Sequence, residues 1–174
     1  GEFLPFEKFF NNLGFKKVTY GYESFSSGKR REVISINQDK FQIKFLPLIC
    51  YEIIYSGLIN LNKKNFNFII NISEDGWFGN SIGPDQHFSH SIFRAIEEGE
   101  NIIRSTNNGI SAVINSNGII INKLESTQRG VIEVNKYKKI NETIFSKFGN
   151  KLFFYFILFY ISLIFLNYKK RERL

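Results

Sequence analysis

The carboxy-terminal apolar run is the sequence feature that most limits how this chain can fold. Between Lys151 and Lys169 the sequence reads LFFYFILFYISLIFLNY, seventeen residues without a charge, of which only Ser162 and Asn167 are strongly polar. As an α-helix the run would be roughly 25 Å long, slightly shorter than a hydrocarbon core of about 30 Å. Flanking lysines and interfacial tyrosines can cover the difference. The run therefore predicts a transmembrane helix.

The alternative for this run is a buried core helix, but only KKRERL follows it, and we expect no later chain to cover it. We therefore divide the sequence into a globular part at 1–147, a transmembrane helix at 151–168 and a basic tail at 169–174. Basic residues beside a membrane helix favour the cytoplasmic side. This places the tail in the cytoplasm and the globular part on the outer side.

The net charge of +7 does not by itself indicate a nucleic-acid partner. Four basic residues lie within the last six positions, namely Lys169, Lys170, Arg171 and Arg173. The other lysines are scattered among asparagines and isoleucines, without a basic helix face or the aromatic motifs of nucleic-acid modules. A solvated basic surface is therefore predicted, with no binding of nucleic acid.

The small number of cysteine and histidine residues excludes some classes of protein. A single cysteine excludes an internal disulfide, and with only two histidines a protein zinc site is not expected. The chain has no methionine and begins in what reads as structured sequence, so we expect it to be a fragment. Its 174 residues are the length of one domain, and 43% of them are hydrophobic, which is enough to bury one core.

Apolar patterns predict alternating strands and helices in the first half of the chain. Phe6–Phe15 has the spacing of a short helix, and KFQIKFLPLIC reads as a strand that enters a core. The segment YEIIYSGLINLNKKN predicts a helix, and FNFIINI is typical of a buried strand. The apolar stripe of that predicted helix consists of Ile53, Ile54, Leu58 and Leu61.

The second half predicts one longer helix and then hairpins. HFSHSIFRAIEEGE reads as a helix that Gly99 closes, and NIIRST, GISAVIN and GIIINKL read as three strands. The turn sequence at 115–118 predicts a hairpin between the last two. Together these elements indicate a layered α/β or α+β domain.

This organisation places Cys50, the only cysteine, on a turn from a strand into a helix. A lone cysteine in an apolar run is usually a small buried hydrophobe, so packing is one interpretation. The other is nucleophilic chemistry, because a helix N-terminus favours the thiolate form. In that interpretation Glu52, in the first helical turn, acts as a cap.

The ordered motifs of the chain favour the chemical interpretation. They are GEFLPFE, ICYE, DGWFG, SIGPDQH, RAIEEGENIIRSTNNG and SKFGN, followed by the membrane helix. In order and spacing, these motifs resemble the carboxy-terminal part of the apolipoprotein N-acyltransferases. That family is a membrane branch of the nitrilase superfamily. The resemblance implies part of an αββα sandwich followed by one transmembrane helix.

The resemblance assigns roles by matching positions. It makes Cys50 the nucleophile and Glu2 an additional active-site glutamate. Of the two residues that follow the nucleophile, it makes Glu52 catalytic and Tyr51 substrate-binding, together with Trp77 and Phe78. Trp77 and Phe78 match an aromatic loop near the substrate entrance. The family's general-base glutamate and oxyanion lysine precede the segment that matches Glu2, so no residue of this sequence takes either role.

The resemblance also implies a reaction and its partners. Cys50 would attack an acyl ester of a membrane phospholipid, and the resulting thioester would acylate the N-terminal cysteine amine of a diacylated apolipoprotein. No metal or organic cofactor is implied. We expect a monomer in the bacterial inner membrane, multi-pass in its complete form. Two alternatives stay open: a nitrilase-superfamily amidohydrolase, and an inactive, truncated, membrane-anchored domain.

Five polar residues between 87 and 104 allow weaker predictions. His87 and His90 have a spacing compatible with metal ligation on a helix, but solvated or hydrogen-bonded histidines are the favoured interpretation. Arg94, Glu97 and Arg104 are predicted to form a structural ion-pair network near the site.

Overall fold

The fold is built on a mixed six-stranded sheet. The computed structural model describes residues 9, 12–14, 31–38, 41–59, 65–134 and 142–171. The strands are β1 (Ile34–Gln38), β2 (Phe41–Ile49), β3 (Phe68–Glu74), β4 (Ile102–Asn107), β5 (Ser111–Ile114) and β6 (Ile120–Leu124). The helices are α1 (Gly83–Glu98), α2 (Ile144–Phe148) and α3 (Lys151–Arg171), with short 3₁₀ helices at Cys50–Ile54 and Asp75–Phe78. The α/β class predicted from sequence is therefore confirmed.

The strands lie in the sheet in their order along the chain. β2, β3 and β4 are parallel, whereas β1, β5 and β6 each pair antiparallel with their neighbours. Because parallel strands end at the same edge of a sheet, the residues that follow β2 and β3 lie close together. Cys50 follows β2 directly and Asp75 follows β3 directly.

A buried apolar cluster joins the sheet to α1. It includes Leu48, Ile69 and Ile102 from the three parallel strands and Ala95 from α1, each completely buried. Burying one such leucine or isoleucine stabilises the fold by roughly 1.5–3 kcal/mol. Ile53 of the first 3₁₀ helix joins the same cluster, so the turn after Cys50 is anchored in the core.

The predicted helix and hairpin of the second half are confirmed. α1 begins with Pro84 in its first turn, where no backbone N–H is required, and ends at Gly99 in the left-handed conformation. β5 and β6 pair antiparallel across the predicted turn, in which Gly118 also has a positive φ of 79°. β1 is an additional edge strand, paired to β2, that the sequence patterns did not identify.

The helix predicted from YEIIYSGLINLNKKN is wrong in length. Among its described residues, 51–59 and 65, only the 3₁₀ helix Cys50–Ile54 is present, because Tyr55 is extended and Gly57 then turns the chain with a φ of 69°. Of the predicted stripe, Ile53 is buried but Leu58 is 46% exposed. Leu61 lies outside the described residues, as do Glu2 and most of the predicted helix Phe6–Phe15.

α3 is long and apolar enough to cross a membrane by its length and composition. None of its apolar window, Lys151–Lys169, is buried against the rest of the described chain. A helix that exposes apolar side chains on all faces is suited to lipid rather than to water. The helix is therefore consistent with the predicted span.

Candidate active site

Cys50 lies at the first residue after β2, where the chain turns into a 3₁₀ helix. Its φ is 49°, in the left-handed region that residues with a side chain rarely adopt. Such a conformation costs on the order of 1–3 kcal/mol, so neighbouring groups must hold it. The predicted strand-to-helix turn is therefore present, with a 3₁₀ helix in place of an α-helix.

Asn71, completely buried on β3, holds the backbone of this turn. Its Nδ2 donates to the carbonyl oxygens of Leu48 and Cys50, both at 3.2 Å. Its Oδ1 accepts a short hydrogen bond from Arg104. One amide thus stabilises the strained carbonyl of Cys50 and is itself oriented by a buried cation.

Ser73, two residues further along β3, connects the thiol to a buried carboxylate. Its Oγ lies 3.4 Å from Cys50 Sγ and 2.8 Å from Asp75 Oδ1. The hydroxyl has a single proton, so it can donate to only one of the two at a time. When it donates to Asp75, its oxygen can accept from the Cys50 thiol; after it rotates, it can donate to a Cys50 thiolate.

Asp75, His87 and Arg104 form a charged cluster beneath this hydroxyl, and each is at most 2% exposed. Arg104 donates to Asp75 Oδ2 at 2.8 Å, and His87 Nδ1 lies 2.8 Å from Asp75 Oδ1. Burial disfavours ionised Asp75, but the hydrogen bond to His87 and the charge of Arg104 outweigh it. The pKa of Asp75 therefore lies below its ordinary value.

The charge of Arg104 also acts on Cys50. Burial lowers the pKa of Arg104, while the negative charges of Asp75 and of ionised Cys50 oppose this shift. The guanidinium is therefore close enough to the sulfur for the two charges to interact when Cys50 is ionised. The cluster has no room to move on the far side, because a Cβ on Gly109 would lie 2.2 Å from Asp75 Oδ2.

Two of the predicted substrate-binding residues cover His87. The Tyr51 ring lies 5.5 Å from the His87 ring, and the Phe78 ring lies 5.6 Å from it. Trp77 differs, because 76% of its surface is exposed and the described chain shows no ring contact for it. Of the two residues in the predicted aromatic loop, Phe78 therefore packs on His87, whereas Trp77 is exposed.

Glu52 contacts the backbone of the turn. Its Oε2 accepts from the Ile49 N–H at 2.7 Å, and its Oε1 lies 3.4 Å from Arg31. This contact to the residue before the helix fits the predicted cap. None of the hydrogen bonds described for Glu52 reaches Cys50 Sγ, and Glu2 lies outside the described residues.

The predicted network of Arg94, Glu97 and Arg104 is only partly correct. Arg94 pairs with Glu97 at 2.9 Å and donates to the Ile54 carbonyl, while Glu97 accepts from Ser56. These contacts fasten the segment after Cys50 to α1. Arg104 instead pairs with Asp75, because its place on β4, opposite Asn71, directs it beneath the parallel strand ends.

The expectation that His87 is hydrogen-bonded is confirmed by its contact with Asp75. Within the described ranges, no group of three or more histidine, cysteine, aspartate or glutamate side chains could hold a metal ion. Ser73 and Asp75 were not predicted as site residues. The available signal was their position at the end of β3, at the same sheet edge as Cys50.

Comparison with known proteins agrees with this geometry. The carbon-nitrogen hydrolase family matches residues 12–136, which is more than half of the chain. The chain is 39% identical to the apolipoprotein N-acyltransferase of Rickettsia typhi over 172 residues, covering 95% of this chain and 34% of the relative. The apolipoprotein N-acyltransferase of Rickettsia bellii is 41% identical, covering 90% of this chain and 30% of the relative.

A relative from another genus extends the same similarity. The apolipoprotein N-acyltransferase of Brucella suis is 38% identical over 133 residues, covering 76% of this chain and 24% of its own length. The chain therefore spans about a third of the length of the first curated relatives it matches. The resemblance predicted from the ordered motifs is confirmed, and the chain belongs to the carbon-nitrogen hydrolase family.

Proposed function

We propose that the protein containing this chain transfers a fatty acyl group from a membrane phospholipid to the N-terminal cysteine amine of a diacylated apolipoprotein. The observation that carries the proposal is the setting of Cys50. Its thiol lies on a strained turn at the end of a parallel strand, beside the Ser73 hydroxyl, which Asp75 links to the buried Arg104 cation. The names of the relatives support the acyl acceptor.

The first step forms a thioester. The Cys50 thiolate attacks the ester carbonyl carbon of the phospholipid, and the negative charge moves onto the carbonyl oxygen. Collapse of this intermediate breaks the carbon–oxygen ester bond, and the lysophospholipid leaves after it gains a proton. Ser73 stabilises the thiolate before attack, and Asn71 keeps the Cys50 backbone in position.

The second step transfers the acyl group. The free amine of the lipoprotein attacks the thioester carbonyl, the carbon–sulfur bond breaks, and the thiolate is restored when the ammonium loses its proton. The family resemblance assigns proton transfer to a glutamate and oxyanion stabilisation to a lysine, both upstream of Glu2. Glu2 is proposed as an additional active-site acid.

The apolar helix α3 supports transfer between lipids over hydrolysis. As the proposed membrane span, it would hold the carboxyl end of the globular part at the bilayer in which both proposed substrates are embedded. We propose the boundaries 1–147 for the catalytic part, 151–168 for the span and 169–174 for a cytoplasmic tail. The catalytic part then faces the outer side of the bacterial inner membrane, and Trp77 is free to contact lipid.

The test is to incubate the full-length natural protein with phospholipid that carries a labelled acyl chain, with and without a diacylated lipopeptide. We expect label in an amide on the lipopeptide and equimolar lysophospholipid. Label released only as free fatty acid would contradict transfer and favour a hydrolase. No turnover by a folded full-length protein would favour the inactive alternative.

A further inference from the structure

A cavity lies where the globular part meets α3, away from Cys50. It has a volume of about 320 Å³ and lies between the Gly57 turn, the end of α1, α2 and the start of α3. Glu98 lines it eleven residues after His87 on the same helix, roughly 16 Å further along the axis. The cavity is therefore distinct from the site around Cys50.

Glu98 is the unusual group in this cavity. It is only 6% exposed, and the part of the chain that the structure describes provides no hydrogen bond to its carboxylate. Burial and the neighbouring charge of Glu97 raise the pKa of Glu98 to about 7, against the opposing charge of Arg94. A buried carboxylate without a donor is costly, and a cation in the cavity would relieve that cost.

The other cavity residues supply positive charge and apolar surface. Lys147 and Lys151 line it with exposed side chains, and Phe148 and Phe154 contribute aromatic rings. Because the apolar window of α3 begins at Lys151, a membrane around α3 would put this rim at the boundary between water and lipid. A ligand here can place its polar end in the cavity and its chains along α3.

The junction that forms the cavity is fixed by direct contacts. Asn150 donates to the Ser56 carbonyl at 3.0 Å, and Thr143 donates a short hydrogen bond to the Glu97 carbonyl. Gly57 leaves no spare room there, because a Cβ would lie 3.0 Å from the Asn150 side chain. Direct contacts between the globular part and the start of α3 therefore fix the shape of the cavity.

We propose that this cavity binds the headgroup of a phospholipid with a primary ammonium group, with the ammonium against Glu98 and the phosphate against Lys147 and Lys151. A primary ammonium has N–H donors for the Glu98 carboxylate, whereas the quaternary ammonium of choline has none. The site would therefore select phosphatidylethanolamine over phosphatidylcholine. This inference depends on α3 lying in a membrane and not on the chemistry of Cys50.

Native mass spectrometry of the full-length natural protein tests this site, in a Cys50→Ala background that cannot form a thioester. The protein is released from micelles that contain phosphatidylethanolamine, phosphatidylcholine and phosphatidylglycerol with matched acyl chains. We expect a Kd for phosphatidylethanolamine about tenfold below that for phosphatidylcholine, equivalent to ~1.4 kcal/mol. Glu98→Gln should remove this preference, and Glu125→Gln, the same change on an exposed loop, should keep it.

A second variant tests the phosphate contact separately from the ammonium contact, and it replaces an exposed residue instead of a buried one. Lys147, 53% exposed, can be replaced without disturbing the core, and Lys147→Ala should weaken binding of all three lipids alike. Equal affinity for all three lipids, or a preference that persists in Glu98→Gln, would overturn the proposal. Failed acyl transfer with an intact lipid preference would count against the proposed function alone.

Discussion

Ser73 Oγ lies 3.4 Å from Cys50 Sγ and is the direct side-chain link between the thiol and the charged cluster below it. The same hydroxyl lies 2.8 Å from Asp75, which Arg104 pairs from the other side. Arg104 also orients Asn71, whose amide holds the Cys50 carbonyl. One buried cation therefore reaches both the backbone and the sulfur of Cys50.

Removing the Ser73 hydroxyl should reduce the reactivity of Cys50. A hydrogen bond to a charged group contributes roughly 1.5–3 kcal/mol, so Ser73→Ala should slow alkylation by iodoacetamide at neutral pH about 10- to 100-fold. Ser73→Thr keeps the hydroxyl and should restore most of the rate. Ser89→Ala is the matched control, because this half-buried serine on α1 donates its hydroxyl to the Asp85 carbonyl of its own helix. Unchanged alkylation in Ser73→Ala would show that the hydroxyl has no such role.

Asp75→Asn should destabilise the fold, because it leaves the Arg104 guanidinium without its buried counter-ion. Breaking one partner of a buried pair typically costs about 3–5 kcal/mol. The free energy of unfolding can be measured with urea against Asp85→Asn, which makes the same change at an exposed position in the first turn of α1. A cost equal to that of the control would contradict the arrangement described for Arg104.

Glu98→Gln should change the pH dependence of stability. The pKa of Glu98 rises from its ordinary 4.5 to about 7 on folding, so its contribution to stability is present below pH 4.5 and is lost as the pH rises through about 7. The variant should therefore be more stable than the wild type above pH 7, by up to about 3 kcal/mol, and little changed near pH 4. The charges that act on Glu98 come from Glu97, Arg94, Glu100 and Arg31, and the cavity adds Lys147 and Lys151.

That difference can be followed as thermal unfolding across a pH series. Glu125→Gln, at an exposed position, controls for the loss of one negative charge. If Glu98→Gln is less stable than the wild type at pH 8, the Glu98 carboxylate must have a favourable partner. That result would contradict the description of Glu98 as a buried carboxylate without a hydrogen-bond donor.

Trp77→Ala should affect lipid use more than folding. Because the side chain is 76% exposed, its removal should change the free energy of unfolding by no more than about 0.5 kcal/mol. If Trp77 contacts lipid, KM for the phospholipid should rise several-fold while kcat stays close to the wild-type value. Phe78→Ala is the contrasting variant, since loss of its packing on His87 should lower stability. An unchanged KM in Trp77→Ala would exclude the proposed contact.

Local patterns predicted most of the elements, because buried strands and amphipathic helices carry their periodicity in the sequence. The strand before Cys50, the helix that Gly99 ends and the hairpin at 115–118 were all predicted. β1 was missed, because an edge strand of mixed polarity is defined by its pairing with β2. The overlong helix after Cys50 followed from an apolar stripe that Gly57 interrupts.

The site was predicted only in part, because its contacts depend on strand register. Cys50 and its turn followed from the chain order, but Ser73 and Asp75 meet the thiol only because β3 lies parallel to β2. Arg104 reaches the same place from β4, where it lies opposite Asn71. The spacing of residues along the chain does not show that these side chains meet. Arg104 was therefore predicted to pair within a network with Arg94 and Glu97.

The most direct test of the central claim is to identify the acylated residue. The full-length natural protein is given phospholipid without an acyl acceptor, and its peptides are examined by mass spectrometry. We predict an acyl mass on the peptide that contains Cys50, removed by hydroxylamine and absent from Cys50→Ser. An acyl adduct that persists at another residue in Cys50→Ser, together with continued transfer, would contradict the assignment of Cys50 as the nucleophile.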